Sequence, residues 1–397
     1  MELKRRILLV LVTAVSTFFP SCAQRTDDET ALASSQNDII VLKNCVLIDG
    51  TGASPRPSSE IMIKGDKLAK IADSGKIKIP GDAKVLDLKG AVVLPGFINA
   101  HVHGAYNSSN LQNWLNGGVT TVRDLGPIGT DDFIKTRDEL NKNNKNARIV
   151  SATPIMSPPG GYGGSDYYDS PEDARNKVLE YIDMGVDIIK FSIEDDLQGR
   201  QWTLPAYEEV KSIIDTAHSE NKKTSVHIMH ARNLRWAIDA GVDDVAHMVA
   251  EPVEPGIISD MVKKNIYWVP TLELIKGVSE MHSLDWDVVA IENLSKFYKA
   301  GGKIALGTDF GGYMCDFDKG FPETEVLLMQ KAGMKNMDII VAGTKNAAFV
   351  CGLGDEIGTI EEGKKADMLV VDGDPLSDIK VLFNANMVIH NGTIIER

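Results

Sequence analysis

The residues best suited to chemistry begin with His101 and His103, which end the stretch VVLPGFINAHVHG over residues 92–104. In an extended strand, residues two apart point the same way, so both imidazoles can reach one metal ion. Alone, such a pair is weak evidence, because alternating polar positions on a half-buried strand produce it by chance. Further along lie Lys190 in DIIKFSI, His227 in KTSVHIM, His247 in DDVAHMV and Asp309 in KIALGTD. Neutral imidazoles and a carboxylate are suitable ligands for Zn²⁺, whereas an ammonium ion is not. Each residue also has a bland reading: a snorkelling lysine, hydrogen-bonded core histidines, a capping aspartate.

The elements that must position these residues decide between the readings. Eight strand-like runs alternate with helical patterns: FINAHVH, VTTVRDL, RIVSAT, DIIKFSI, KTSVHIM, DDVAHMV, IYWVP and KIALGTD. One predicted helix runs from Pro171 to Met184 behind a Ser170 cap, and another from Tyr207 to Asn221. Strand and helix repeated eight times predict an α/β fold, a (β/α)8 TIM-like barrel over residues 96–351. The polar residues then fall at the C-terminal ends of the strands, where such barrels place active sites: His101, His103, Arg123, Asp124, Lys190, His227, His247 and Asp309. The bland reading of the six metal-site candidates would need six independent accidents at one end of strands 1, 4, 5, 6 and 8. Residues 38–95 and 352–397 instead carry short alternating runs with hairpin turns at Gly65-Asp66 and Asn391-Gly392. Neither piece is large enough for a core of its own, so they are expected to form two halves of one small β-sandwich domain.

With these motifs in hand, the sequence resembles the amidohydrolase superfamily over nearly all of residues 38–397. LPGFINAHVH (94–103) is similar to the strand-one motif of that family, GVTTVRD (118–124) to its second strand and GTD (307–309) to its eighth, and IGTIEEGKKAD (357–367) to its return into the sandwich. The resemblance implies that His101, His103 and Asp309 bind one divalent metal ion, that His227 and His247 bind a second, both expected to be Zn²⁺, and that Lys190 bridges them as a carbamate formed with CO₂. Two nearby cations would stabilise that anion. Asp309 is then the candidate to take a proton from the attacking water and pass it to the leaving amine. The branch containing Xaa-Pro dipeptidases and imidazolonepropionase-like proteins looks closest. The expected function is metal-dependent hydrolysis of an amide in a dipeptide or N-acyl amino acid; attack on a cyclic amide or amidine is the alternative, and a non-catalytic ligand-binding lipoprotein is a third reading. The sequence departs from the branch at Tyr162 in GGYG, at Met229 and at Lys319-Gly320, near where a substrate carboxylate is usually held.

Composition bounds the partners. A formal net charge of −14 argues against nucleic acid, and 43% hydrophobic with 25% charged residues describes a globular chain. Lys4, Arg5 and Arg6 precede an apolar run, Ile7 to Phe19, too short to span a bilayer, so residues 1–21 read as an export signal. Cys22 then reads as a lipidated first residue, and residues 22–37 as a flexible tether. The chain is expected to be exported and held to a bacterial membrane through Cys22 alone, with cleavage after Ala23 into a soluble periplasmic form as the alternative. A homo-oligomer is left open. Cys45, Cys315 and Cys351 match no zinc spacing and read as small buried hydrophobes. His218, His230, His282 and His390 are not expected to be ligands; Tyr162, Tyr167, Tyr168 and Trp202 read equally as pocket walls or surface aromatics.

Overall fold

A computed structural model of the chain describes residues 38–127, 132–164, 166–197 and 199–396. The expected signal and tether, with Cys22, lie outside the described residues. Among the described residues, no helix is long and apolar enough to cross a membrane.

The eight expected strand segments are found as parallel neighbours: Phe97–Val102, Val119–Asp124, Arg148–Ser151, Ile188–Ser192, Lys223–His227, Asp244–Ala246, Tyr267–Val269 and Lys303–Ile304. The second and fourth, VTTVRD and IIKFS, are buried at every position, as expected of strands covered on both faces. Between the third and fourth, Asp187 and Thr153 backbone N–H groups donate to Ser151 and Ile188 carbonyls at 2.9 and 3.1 Å. Beyond Ile304 the chain continues beside the first strand, where the Ala100 N–H reaches the Leu306 carbonyl at 2.8 Å. Backbone hydrogen bonds therefore link each strand to the next and the eighth segment to the first.

Local sequence explains how helices and strands alternate. Asn107 caps the helix Ser108–Gly117 by accepting from Ser109 and Asn110 N–H groups, and Gly118, in a left-handed conformation at φ 101°, ends it. The chain then enters the second strand at once. The helix Pro171–Met184 begins as predicted, with Ser170 accepting from the Asp173 N–H at 3.1 Å. The second predicted helix ends earlier than expected, at Ser219, because Asn221 takes a left-handed turn at φ 58°.

The two terminal segments pair with one another through their strands. Their strands belong to one eight-stranded mixed sheet, in which Val92–Pro95 lies between Val46-Leu47 and the C-terminal strand Met368–Val371. In this sheet the strand Ile39–Leu47 shares one edge between Lys84–Asp87 and Val92–Pro95, on either side of Asn44 at φ 55°. Sequence alternation could not reveal this branching, because a bulge changes an edge partner without changing which residues are apolar.

Arg123 also departs from expectation. It is buried away from the other strand-end groups, with Nη1 and Nη2 on Asp244 at 2.8 and 3.0 Å and further bonds to the Ala100 and Val350 carbonyls. A planar guanidinium satisfies both carboxylate oxygens at once, so this pair ties strands two and six together across the interior.

Candidate metal centre

Two strand ends bring the first three candidates together. His101 and His103 end the first strand on one face, and Asp309 follows the eighth. The Asp309 N–H donates to the His101 carbonyl at 2.8 Å, while Asn99 exchanges hydrogen bonds with Thr308 at 2.9 and 3.2 Å. Asp309 Oδ1 consequently lies 3.0 Å from Nε2 of both His101 and His103. Asp309 holds a left-handed backbone at φ 60°. A Cβ at Gly312 would meet its carboxylate at 2.4 Å, so only glycine permits the chain to turn back so closely over it.

The other three candidates surround this group. The His247 ring lies 4.7 Å from both the His101 and the His227 rings, centre to centre. Lys190 is fully buried on the fourth strand, and its Nζ has no hydrogen-bond partner among the described residues. The same holds for both nitrogens of His101, for His227 Nε2 and for Asp309 Oδ1. Buried polar atoms left without hydrogen bonds cost about 1–3 kcal/mol each, so a cluster of them at one point fits a bound cation rather than a packed core.

Electrostatics gives the donors the right charge. Burial pushes His101 down to about 3 and drives His227 and His247 well below the imidazole range, keeping their lone pairs free at neutral pH. Burial opposes ionisation of Asp309, but His101 and His103 outweigh it and hold the carboxyl well below its usual range. The Gly126 carbonyl, 3.0 Å from His103 Nδ1, can only accept, which puts the proton on Nδ1 and the lone pair on Nε2. Burial likewise brings Lys190 down to about 7. The residues present therefore fit a divalent cation held by His101, His103 and Asp309.

Several neighbours escaped sequence reasoning. Thr271 sits at φ 49° with Oγ1 2.9 Å from His247 Nδ1. It is free to do so because Glu325, buried, accepts the Glu273 N–H at 2.7 Å and caps the helix Leu272–His282 in its place. Glu194 is buried at the end of the fourth strand, accepts the Met229 N–H at 2.8 Å, and has Oε2 3.7 Å from His227 Nε2. Burial pushes its carboxyl up to about 7. One signal was available: Lys190, Ser192 and Glu194 repeat at a spacing of two, on one strand face.

The aromatic residues separate. Tyr162 stacks on His227, 3.9 Å between ring centres at 12°, and Trp202 meets Tyr162 edge-on at 5.4 Å. Tyr168 is buried elsewhere and Tyr167 is exposed. His230 holds Glu251 at 2.7 Å and the Asp196 carbonyl at 2.6 Å, clamping three strand-end loops, while His218 pairs with Asp243 and His390 with Asp367. Asp124 accepts from the Ala105 and Gly126 N–H groups and shapes the loop after His103. Cys45 and Cys351 are buried free thiols, but Cys315 is only half-buried.

A sequence model of the amidohydrolase family matches residues 92–395. An imidazolonepropionase from Thermoanaerobacter pseudethanolicus is 32% identical over 390 residues, covering 83% of this chain and 88% of that relative. An ochratoxinase from Aspergillus niger is 27% identical over 263 residues, or 61% of this chain, and the match spans only about half (53%) of that relative's length. Among solved structures, a Xaa-Pro dipeptidase with methionine bound in its active site aligns at a TM-score of 0.78 and 26% identity, covering 91% of this chain and 100% of that one. The chain thus belongs to the amidohydrolase family, whose members are generally metal-dependent hydrolases of carbon–nitrogen bonds, and has a TIM-barrel-type fold of mixed α/β content.

The contact between Thr271 and His247 yields an expected outcome. Thr271→Val keeps the side-chain shape but removes the partner of Nδ1, so if His247 is a ligand, affinity for an added divalent cation should fall about 10–100-fold. Competition against a chromophoric chelator measures this, and unchanged affinity would mean that Thr271 does not orient the imidazole.

Proposed function

We propose that this amidohydrolase cleaves the carbon–nitrogen bond of an amide in a dipeptide or N-acyl amino acid, with two divalent cations, zinc by the character of the donors. The observation that carries the reading is the convergence of His101, His103, Lys190, His227, His247 and Asp309, from strand ends scattered over some two hundred residues, on one buried point. His101, His103 and Asp309 would hold one cation, His227 and His247 the other, and Lys190, as a carbamate, both. Bound there, the cations supply Lewis-acid polarisation of the carbonyl and acidify water at neutral pH.

The chain's own groups do the rest. Carbamate formation needs a neutral amine, and burial of Lys190 supplies one near pH 7. Its nitrogen adds to CO₂, one N–C bond forms and one proton leaves, so a side chain that would repel cations becomes an anion that holds them. The Asp309 carboxylate accepts the proton of the attacking water and returns it to the departing nitrogen. Tyr162 and Trp202 wall the His227 side against bulk water.

The same reading treats residues 96–351 as a closed (β/α)8 barrel, supported by the bonds from Leu306 and Asp309 to the first strand. It takes residues 38–95 and 352–397 as a β-sandwich, supported by the buried cluster of Leu42, Leu47, Ile61, Val93, Met368 and Ile389. Ring opening of a cyclic amide is the second reading, favoured by the 32% identity to an imidazolonepropionase. Residues 1–21 are read as an export signal and Cys22 as a lipid anchor, on the basic and apolar pattern before it.

Zinc-loaded protein incubated with a library of dipeptides and N-acyl amino acids should release two products per bond cleaved. Turnover confined to cyclic amides, with a single product, would favour the second reading. Lys190→Ala should lose most activity and part of its metal, and a short carboxylic acid such as propionate should restore a fraction by filling the space with an anion. Full metal loading with unchanged turnover in that variant would remove the bridging role. Expression with Cys22→Ala should move the protein from the membrane to the soluble fraction; unchanged partitioning rejects the anchor.

A further inference from the structure

The loop after the eighth strand begins at Asp309, and its two ends are held by different chemistry. At the near end the Phe310 carbonyl accepts the His103 N–H at 2.6 Å, so the backbone of the first strand does the holding. At the far end three carboxyl groups do it. The Asp318 N–H donates to Glu273 Oε1 at 2.6 Å, the Thr324 N–H to Asp318 Oδ2 at 2.6 Å, and the Glu273 N–H to Glu325 Oε2 at 2.7 Å. Because Glu325 directly follows Thr324, these bonds form a ring that joins the loop to the helices Leu272–His282 and Glu323–Lys331. Between the two ends Cys315 lies against the first of these helices, where a Cβ added at Gly277 would meet its Sγ at 2.8 Å.

Among the described residues, no cation pairs with this ring. Four carboxyl oxygens are buried there without a hydrogen-bond partner. Two belong to Glu60 and Asp166, which lie 3.8 and 2.8 Å from lysine ammonium groups, and a third to Asp309 in the candidate centre. The fourth, Glu325 Oε1, is fully buried and faces only like charge, from Glu273 and Asp318. Lys276, one turn along from Glu273, is bonded to Glu280 at 2.6 Å instead. The other helices packed here, Trp286–Lys299 and Asn336–Val341, bury apolar side chains and Asn293. Glu323 stands exposed beside Asp318, and Glu280 and Asp316 add further acid to a cleft of about 390 Å³ lined by Glu273, Cys315 and Asp318. Burial, reinforced by these neighbours, pushes Glu273 and Glu325 up to about 8, so both largely keep their protons at neutral pH.

We propose that Glu273 and Glu325 are a proton-operated latch on this loop: protonated, they clamp residues 315–318 to the helix Leu272–His282, and deprotonated they let that stretch lift away. Each event breaks one carboxyl O–H bond and passes the proton to water in the cleft; nothing is oxidised and no other covalent bond changes. Two anions beside the Asp318 carboxylate cannot share so dry a space without a counter-ion, and parting the loop from the helix gives them water. The loop starts at Asp309, so alkaline release loosens one flank of the centre while the bond to the first strand stays. Neither the substrate nor the metal enters the proposal.

Labelling of Cys315 by iodoacetamide in the full chain, read from the mass of its peptide and divided by the rate for the free peptide at the same pH, reports the lift. In wild type, protection should fall about tenfold between about pH 7 and about pH 9.5 as the ionised fraction grows, while the buried Cys45 and Cys351 stay protected. The double variant Glu273→Gln, Glu325→Gln keeps the shape of the protonated acids and cannot ionise, so its protection should change less than about threefold over the same range. Stability carries a matching sign. The folded chain keeps protons that the unfolded chain loses above the ordinary value of 4.5, so the latch stabilises fully below that pH and its contribution declines until about pH 8. The thermal midpoint of the double variant relative to wild type should therefore rise across that window. Wild-type protection that stays flat overturns the latch. So does an equal fall in both proteins, a fall accompanied by labelling of Cys351, or a double variant that fails to fold, since uncharged mimics of two protonated acids should be tolerated.

Discussion

One short hydrogen bond, from the Asp309 N–H to the His101 carbonyl, sets the geometry on which the site depends. It joins the first and last of the parallel strands, and the exchange between Asn99 and Thr308 fixes their register beside it. A slip of one residue would turn His101 and His103 to the opposite face, since side chains alternate along a strand. Two polar side chains facing each other between strands distant in sequence therefore decide whether a carboxylate meets two imidazoles or a wall of valines.

That constraint acts on a chain whose charge would otherwise be unhelpful. The protein is acidic overall, yet burial keeps His101, His227 and His247 neutral around the ionised Asp309, with Glu194 nearby pushed up by burial. Several acidic groups elsewhere are matched: Asp244 by Arg123, Asp367 by Arg148 and Asp243 by Lys223. Burial therefore has opposite consequences in two places. Where a guanidinium answers a carboxylate, it produces a rigid tie between strands. Where lone pairs face one another, it produces demand for a cation.

The sequence made visible what repeats locally. Alternation placed His101 and His103 on one face, and the recurrence of apolar runs ending in Lys190, His227, His247 and Asp309 located the strand ends that carry them. Tertiary contacts were harder to see. Arg123 has the same strand-end signature as Asp124, and only the distant Asp244 makes it a buried tie. Glu325 caps a helix some fifty residues away, which leaves Thr271 for His247; no rule of neighbouring residues predicts a cap supplied from another helix. Tyr162 and Trp202 looked ambiguous because stacking against His227 is set by two loops whose conformations are fixed only against each other.

The seam at Gly96 has a temporal consequence. Val92–Pro95 is an inner strand of the terminal sheet, and one residue later the chain begins the strand that ends in His101 and His103. Its second neighbour, Met368–Val371, leaves the ribosome only after every candidate ligand has been made. Until then Val92–Pro95 presents an open edge of backbone donors and acceptors, beside the segment that must find residues 306–310. A nascent chain of this design closes that edge only once Met368–Val371 has emerged, and one cut short before that strand leaves it open and adhesive.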